Sequence, residues 1–242
     1  MKGVILAGGT GTRLKPLTKM INKHLLPVGR LPMICHGLFK LREAGIHDVL
    51  LVVSSQSAGQ YTELLGSGSE YGMEITYKVQ EKAGGIPQAL SLAKSFIGDH
   101  NRFVVLLGDN LFEDPLQPFV EQFKRSAGHA MVLLKEVDDA RRYGVPSIEQ
   151  GRIVSIVEKP TIPQSNYCVT GIYFYDSQVF DHIGQLRPSE RGELEVTDLN
   201  NRYAQNNKLH YAILNGWWTD AGTFESLQEA NARMNALGGD RQ

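Results

Sequence analysis

Short apolar runs alternate with helical patterns along almost the whole chain, and this alternation constrains the fold more than any other feature. Runs typical of strands occupy residues 3–7, 49–54, 75–79, 102–107, 130–134, 153–158, 169–175 and 209–214. Helical patterns occupy residues 32–44, 87–96, 116–125, 196–205 and 224–235. This alternation predicts a mainly parallel sheet with helices on both faces. The first five runs are nearly all apolar, as strands buried on both sides require.

The chain shows no repeat, no low-complexity tract and no linker, so we expect a single domain over residues 1–242. A chain of this length buries roughly 70% of its unfolded surface, which is enough for one substantial core. Its 25 Lys and Arg residues nearly balance its 26 Asp and Glu residues, giving a formal net charge of −1. Because a protein that binds nucleic acid polymers usually has a basic excess, we do not expect such a partner.

The two cysteines, Cys35 and Cys168, exclude a disulfide scaffold and disfavour a cysteine-based zinc site. No run reaches the roughly 20 apolar residues that a membrane-spanning helix needs. The apolar run at residues 4–7 is too short for a secretory signal and leads directly into glycines. We therefore expect a cytoplasmic protein with no membrane partner.

Ligands of parallel α/β sheets bind beyond the carboxyl ends of the strands. That rule points to three segments: residues 8–13, residues 108–110 and the residues that follow Asn215. In the first, Gly8, Gly9 and Gly11 follow a strand, and glycines allow backbone N–H groups to approach an anion closely. A tight turn after a strand would account for the same glycines.

Two familiar phosphate-binding patterns fail at this turn. The Walker pattern requires a second glycine where Arg13 stands, and the dinucleotide fingerprint requires a third glycine where Leu14 stands. Arg13 instead adds a bidentate phosphate donor. Lys23 adds a second cation ten residues later, so the segment favours a triphosphate ligand.

A longer pattern extends from these glycines through the whole chain. It begins with the segments at residues 6–14, 16–18 and 23–28. It continues in order at residues 77–80, 108–110, 143–145, 157–160, 169–173, 191–198 and 218–223. The combined pattern resembles the signature of the sugar-1-phosphate nucleotidyltransferases and covers residues 2 to about 235.

The resemblance is strongest to the glucose-1-phosphate thymidylyltransferase subgroup. It implies a three-layer α/β/α Rossmann-like fold with a mixed, mostly parallel central sheet. It also implies transfer of dTMP from dTTP to glucose 1-phosphate, which yields dTDP-glucose for dTDP-rhamnose biosynthesis together with pyrophosphate. The implied cofactor is Mg²⁺ and the implied assembly is a homo-oligomer. Use of UTP, use of another hexose 1-phosphate, and a non-catalytic sugar-nucleotide sensor remain alternatives.

The resemblance also implies roles for individual residues. The catalytic residues would be Arg13, Lys23, Asp109, Lys159 and Asp220, of which Asp109 and Asp220 would hold the metal. The nucleotide would be bound by Leu6, Gly8, Gly9, Gly11, Thr12, Arg13, Gln80 and Gly85. The sugar phosphate would be bound by Tyr143, Gly144, Glu158, Lys159, Val169 and Thr170. The N-terminal part would thus bind the nucleotide, and residues from roughly 140 to 220 would complete the sugar-phosphate site.

These residue types suit such chemistry, although simpler explanations exist for several of them. Asp109 ends an apolar strand, where an Asp-Asn turn would also fit. Asp109 and Asp220 together match the one or two carboxylates that magnesium takes beside phosphate oxygens. Glu158 and Lys159 could form a surface ion pair of little energetic value. A carboxylate nevertheless suits sugar hydroxyls, and an ammonium group suits a phosphate.

The C-terminal segment bears on regulation. Longer members of the subgroup continue for tens of residues, and their extra helices help to build a second, regulatory nucleotide site. Here the helical pattern at residues 224–235 is followed by a short tail containing Gly238 and Gly239, which favours a helix end. We therefore expect weak or simply competitive feedback by a downstream dTDP-sugar. The alternative is a second site formed across an oligomer interface that includes residues 114–125.

Overall fold

The computed structural model describes residues 1–238, which form a layered arrangement of strands and helices. The strands are β1 (Lys2–Ala7), β2 (Pro27–Val28), β3 (Leu31–Pro32), β4 (Asp48–Ser54), β5 (Glu74–Gln80), β6 (Arg102–Leu107), β7 (Asn110–Phe112), β8 (Ala130–Glu136), β9 (Gly144–Glu149), β10 (Arg152–Glu158), β11 (Tyr167–Asp176), β12 (Leu209–Ile213) and β13 (Trp218–Asp220). The helices are α1 (Met33–Glu43), α2 (Ala58–Leu65), α3 (Ile86–Ser91), α4 (Lys94–Ile97), α5 (Gln117–Arg125), α6 (Val179–Gly184), α7 (Val196–Gln205) and α8 (Phe224–Gly238).

Seven of the strands form the central sheet in the order β12-β8-β11-β6-β1-β4-β5. The pairs that β1 makes with β4 and with β6 are parallel, whereas β11 runs antiparallel to both β6 and β8. The sheet is therefore mixed and mostly parallel, as expected. The chain leaves β1 toward β4 and later returns to β6 on its other side, so the strand order reverses between β1 and β6. A ligand crevice is expected beyond the carboxyl ends of these two strands.

Both faces of the sheet are covered, and β1 shows why. Ile5 and Ala7 pack into a core cluster that includes side chains of α1, α2 and α5. Val4 and Leu6 point to the opposite face, where the cluster includes side chains of α3, α6 and α7. Each fully buried aliphatic side chain contributes roughly 1.5–3 kcal/mol. The apolar side chains at residues 4–7 of this strand thus stabilise two helical layers at once.

Two small strand pairs lie beyond the main sheet and carry polar residues to its carboxyl edge. In the antiparallel pair β7–β13, Asn110 lies opposite Asp220, and the Ala221 N–H donates to the Asp109 carbonyl at 2.8 Å. In the antiparallel pair β9–β10, Gly144 lies opposite Glu158. Residues that are distant in sequence are therefore aligned by backbone pairing.

Two of the elements that the sequence did indicate differ in the structure. The single helix expected at residues 87–96 is two helices, α3 and α4. The Ser91 hydroxyl donates to the Gln88 carbonyl at 2.7 Å, and the N–H groups of Leu92 and Ala93 bond three residues back, which ends α3. The expectation of complete burial is wrong for β5, because it is an edge strand with exposed residues along its length.

Helix α8 runs to Gly238, slightly beyond the expected residue 235. Residues 239–242, on which the regulatory expectation partly depends, lie outside the described residues. Within residues 1–238, no helix combines the length and apolarity needed to cross a membrane.

Candidate active site

A cleft of about 480 Å³ opens beyond the carboxyl ends of the central strands. Many of the predicted site residues line it, although they come from six separate parts of the chain. They are Arg13, Asp109, Tyr143, Gly144, Glu158, Lys159, Val169, Thr170 and Asp220. The structure thus brings together in one cleft Arg13, the two predicted metal ligands and all six predicted sugar-phosphate residues.

The glycine-rich turn at residues 8–11 directly precedes Arg13. Neighbouring side chains leave little room for a Cβ atom at its glycines. A Cβ atom on Gly8 would lie 2.5 Å from Gln80 Oε1, and one on Gly9 would lie 3.2 Å from Lys23 Cε. Gly11 has a φ of 65°, in the left-handed region that favours glycine. A side chain at Gly8 or Gly9 would therefore require Gln80 or Lys23 to move from its present position.

Arg13 reaches the cleft from a short 3₁₀ turn at Thr12–Leu14. Leu14 is fully buried and anchors this turn, while Thr12 and Arg13 are exposed. A Cβ atom on Gly222 would lie 2.8 Å from an Arg13 guanidinium nitrogen, which places the guanidinium beside the segment that follows Asp220. Arg13 therefore lies between the glycine turn and the carboxylates.

The remaining predicted nucleotide residues do not line the cleft. Leu6 is buried in the core, and its carbonyl accepts from the Gly108 N–H at 3.0 Å. Gln80, at the end of β5, donates to Gln88 Oε1 at 2.6 Å. Gly85 has a φ of 92°, and a Cβ atom there would lie 2.1 Å from the Leu194 carbonyl oxygen. Gln80 thus lies next to Gly8, outside the group of cleft residues.

The Asp109 carboxylate lies in the cleft and has two side-chain partners. Lys23 forms an ion pair with its Oδ2, and the Asn110 side chain donates to its Oδ1 at 3.1 Å. Burial opposes ionisation of this carboxyl group, but the charge and hydrogen bond of Lys23 outweigh that effect. They hold the pKa of Asp109 well below its usual range. Asp109 is therefore a fixed anion at neutral pH.

Asp220 lies beside Asp109 and responds in the opposite direction. Burial, and then the negative charge of Asp109, raise the pKa of Asp220. The Tyr143 hydroxyl donates to Asp220 Oδ1 at 3.1 Å, which orients this second carboxylate. Two neighbouring carboxylates in a partly desolvated cleft repel each other, and a bound cation would relieve that repulsion.

The pair fits the donor set that magnesium uses, because this ion takes one or two carboxylates and completes its shell with phosphate oxygens and water. Among residues 1–238 there is no group of three or more His, Cys, Asp or Glu side chains arranged to hold a metal. A closed, all-protein metal site is thus not present in this part of the chain. An open site built on Asp109 and Asp220 is compatible with it.

Asn110 holds this region together, a role that the sequence did not predict. Its Oδ1 accepts from the Gly171 N–H at 2.7 Å and from Trp218 Nε1 at 2.8 Å. These two bonds orient the amide so that its Nδ2 donates to Asp109. A Cβ atom on Gly171 would lie 2.4 Å from Asn110 Nδ2, which explains the glycine in β11.

The predicted sugar-phosphate residues lie along the β9–β10 pair. Glu158 Oε2 accepts from the Thr197 hydroxyl at 2.6 Å, and Glu158 Oε1 lies 3.3 Å from Lys159 Nζ. Lys159 has a φ of 45°, which is uncommon for a residue with a side chain, and its N–H donates to the Tyr143 carbonyl at 2.9 Å. Such a conformation costs about 1–3 kcal/mol and persists where the surrounding structure enforces it.

Val169 and Thr170 border the cleft where the pairing of β11 with β8 is interrupted between Val169 and Tyr173. The Thr170 hydroxyl is buried and donates to the Leu133 carbonyl at 2.8 Å. Because its one proton is engaged, the Thr170 hydroxyl could only accept a hydrogen bond from a ligand.

Other cleft residues were not predicted as site residues from the sequence. They are Ile86, Leu107, Asn110, Arg141, Arg142, Ile156, Gly171, Tyr173, Val196, Thr197 and Asn200. The motif segments at residues 169–173 and 191–198 contain several of them, so the motifs held a usable signal. Arg142 and Asn200 carry no such signal and become visible only in the folded chain.

Comparison with known proteins places this arrangement in a family. The family model described as nucleotidyl transferase matches residues 2–236. The chain belongs to the nucleotidyl transferase family. A glucose-1-phosphate thymidylyltransferase from Neisseria meningitidis serogroup A is 44% identical over 236 residues, which are 95% of this chain and 81% of that protein.

Solved structures of other nucleotidyl transferases confirm the fold. A crystal structure from Bacillus anthracis, of a protein assigned as a glucose-1-phosphate thymidylyltransferase, is 54% identical with a TM-score of 0.93. It aligns over 97% of this chain and 95% of that chain. A UDP-glucose pyrophosphorylase complexed with UDP-glucose is 25% identical, with a TM-score of 0.85 and 98% coverage of both chains.

Proposed function

We propose that this nucleotidyl transferase is a glucose-1-phosphate thymidylyltransferase. It transfers dTMP from dTTP to glucose 1-phosphate and releases dTDP-glucose and pyrophosphate. The observation that carries the proposal is the single cleft in which Asp109 and Asp220 lie with Arg13 and Lys159. Such a cleft combines metal-binding carboxylates with cations for two polyanionic substrates, and similar proteins carry this name.

The chemistry is a direct displacement. An oxygen of the sugar phosphate attacks the α-phosphorus of dTTP and forms a new P–O–P bridge. The bond from the α-phosphorus to the bridging oxygen of pyrophosphate breaks, and pyrophosphate leaves with that electron pair. No protein nucleophile is required, and phosphoryl-type transfer depends mainly on placement and charge stabilisation.

Arg13 and Lys23 serve the triphosphate in this proposal. The planar guanidinium of Arg13 can bind two phosphate oxygens at once. Lys23 lies against Gly9 of the turn and neutralises Asp109, so its ammonium group can shift to a phosphate bound at the turn. Both cations would stabilise the charge that develops on the leaving pyrophosphate.

Magnesium completes the proposal, with Asp109 and Asp220 as its protein ligands. When bound, it would neutralise phosphate charge and polarise the phosphoryl oxygens. Asn110 and Tyr143 each donate to one of these carboxylates and so set their orientation. Removing a group that hydrogen-bonds to a metal ligand commonly lowers metal affinity by about 10- to 100-fold.

The sugar phosphate is assigned to residues from roughly 140 to 220. Lys159 would bind its phosphate, and Glu158 would accept hydrogen bonds from its hydroxyls. Tyr143, Gly144, Val169 and Thr170 would complete its pocket. The nucleotide is assigned to the N-terminal part of the same single domain, where Gln80 would read the base and Gly85 would lie beside it.

Three finer expectations complete the proposal. Action in the cytoplasm rests on the sequence analysis, whereas assembly as a homo-oligomer and supply of dTDP-glucose to dTDP-rhamnose biosynthesis rest on the resemblance. Each stays a prediction.

A substrate panel tests the proposal. Pyrophosphate release is measured with dTTP, UTP, ATP and GTP, each combined with the 1-phosphates of glucose, galactose, mannose and N-acetylglucosamine. We expect the highest kcat/KM for dTTP with glucose 1-phosphate. A preference for another pair would replace the proposed substrates, and release that does not depend on any sugar phosphate would refute the transfer reaction.

A further inference from the structure

Asn200 is a buried amide on α7 that borders the cleft and has no role in the mechanism above. The residue is 1% exposed, and the Tyr175 hydroxyl donates to its Oδ1 at 2.6 Å. Tyr175 is itself fully buried in the core and does not line the cleft. The carbonyl side of the amide is therefore anchored toward the core.

The other side of the amide is unpaired. Within residues 1–238, Asn200 Nδ2 has no hydrogen-bond partner. In that part of the chain, the only fully buried side-chain polar atom without a partner is the Tyr203 hydroxyl. Asn200 Nδ2 thus retains access to open space, and the open space that Asn200 borders is the cleft. An oriented donor that faces the cleft is available to an acceptor on a ligand bound there.

The surroundings of Asn200 place it at the sugar end of the cleft. Thr197 lies one helical turn earlier on α7 and donates to Glu158, the residue assigned to sugar hydroxyls. Ile86, Val196 and Tyr173 provide mostly apolar lining. A single oriented donor within an apolar lining is the usual arrangement for recognising one polar group of a ligand.

We propose that Asn200 is a specificity-determining residue whose Nδ2 donates a hydrogen bond to one hydroxyl oxygen of the hexose. Tyr175 is the positioning residue that fixes the amide from behind. This inference rests on the proposed function, because it requires a hexose phosphate in the cleft. The chemistry recognised is a ring or exocyclic hydroxyl, and a hexose that lacks it leaves the donor unpaired.

The test combines enzyme variants with altered substrates. The kcat/KM is measured for glucose 1-phosphate and for its 2-, 3-, 4- and 6-deoxy analogues, each with dTTP and Mg²⁺. The variants are Asn200→Ala and Tyr175→Phe, and dTTP binding is measured separately by calorimetry. Tyr203→Phe is the matched control, because it removes an unpaired hydroxyl from the same helix and core cluster.

We expect the parent enzyme to discriminate against one analogue more strongly than Asn200→Ala does. The discrimination should fall about 3- to 10-fold, as loss of one neutral hydrogen bond implies. Tyr175→Phe should change the same ratio in the same direction, and it serves alone if Asn200→Ala does not fold. The Tyr203→Phe control and dTTP binding should not change.

Equal discrimination by the parent and both variants against all four analogues would overturn the assignment of Asn200. A folded parent enzyme that turns over no hexose 1-phosphate with dTTP would instead refute the proposed function, and the inference with it. The parent's activity on unmodified glucose 1-phosphate therefore distinguishes the two failures.

Discussion

Replacing Asn110 with alanine should destabilise the protein more than most single substitutions do. The change removes the acceptor of two hydrogen bonds, from the Gly171 N–H and from Trp218 Nε1. It also removes the donor to Asp109 Oδ1. Each buried donor left without a partner costs about 1–3 kcal/mol, so the two together cost about 2–6 kcal/mol. Total stabilities of about 5–15 kcal/mol make such a loss easy to detect.

Urea unfolding followed by tryptophan fluorescence measures this loss. The matched control is Asn206→Ala, because Asn206 is exposed and its side chain makes one helix-end bond, to the Arg202 carbonyl at 2.7 Å. The control should stay within about 0.5 kcal/mol of the parent. A loss below about 1 kcal/mol for Asn110→Ala, or equal losses for both variants, would refute the reasoning.

Three further predictions concern the site. Asp109→Asn and Asp220→Asn should each abolish most turnover at limiting Mg²⁺, and near-parental rates would remove that residue from the proposed metal site. Arg13→Ala should weaken dTTP binding in calorimetry, whereas Lys159→Ala should mainly weaken glucose 1-phosphate binding; the reverse pattern would overturn both assignments. Burial, and then the charge of Lys23, lower the pKa of His24 to about 3. As the pH falls, His24 is therefore protonated in the unfolded chain before it is protonated in the folded one. The free energy of unfolding should decrease by up to ~1.4 kcal/mol for each unit that the pH falls between about pH 6.5 and 3. A His24→Gln variant should show a flatter pH dependence of the unfolding free energy.

The sheet could be predicted because its strands carry a strong local signal. In β1 and β6, apolar side chains are needed on both faces, so the run of apolar residues is unbroken and easy to find. Helices α2 and α6 were missed because they are short, with eight and six residues. Strand β9 was missed because it contains Pro146 and ends in the exposed residues Ile148 and Glu149. It pairs with β10 across the short turn at Gln150 and Gly151.

Part of the site could likewise be predicted from local sequence patterns, and part of it could not. Arg13, Asp109 and Lys159 could be named because their motifs are contiguous in sequence. The orientation of Asp109 by Asn110 depends on β11 and β13, which are distant in sequence, so no local pattern reveals it. The orientation of the Asn200 amide likewise depends on a distant residue, because the Tyr175 hydroxyl on β11 donates to its Oδ1.

The most direct test of the central claim is ³¹P NMR of dTTP, glucose 1-phosphate and Mg²⁺ incubated with the protein. The account predicts that the dTTP and sugar-phosphate resonances disappear together, replaced by the two coupled resonances of dTDP-glucose and the single resonance of pyrophosphate. The Asp109→Asn variant should leave the spectrum unchanged over the same period. Hydrolysis of dTTP with glucose 1-phosphate intact, or conversion at the parental rate by Asp109→Asn, would contradict the account.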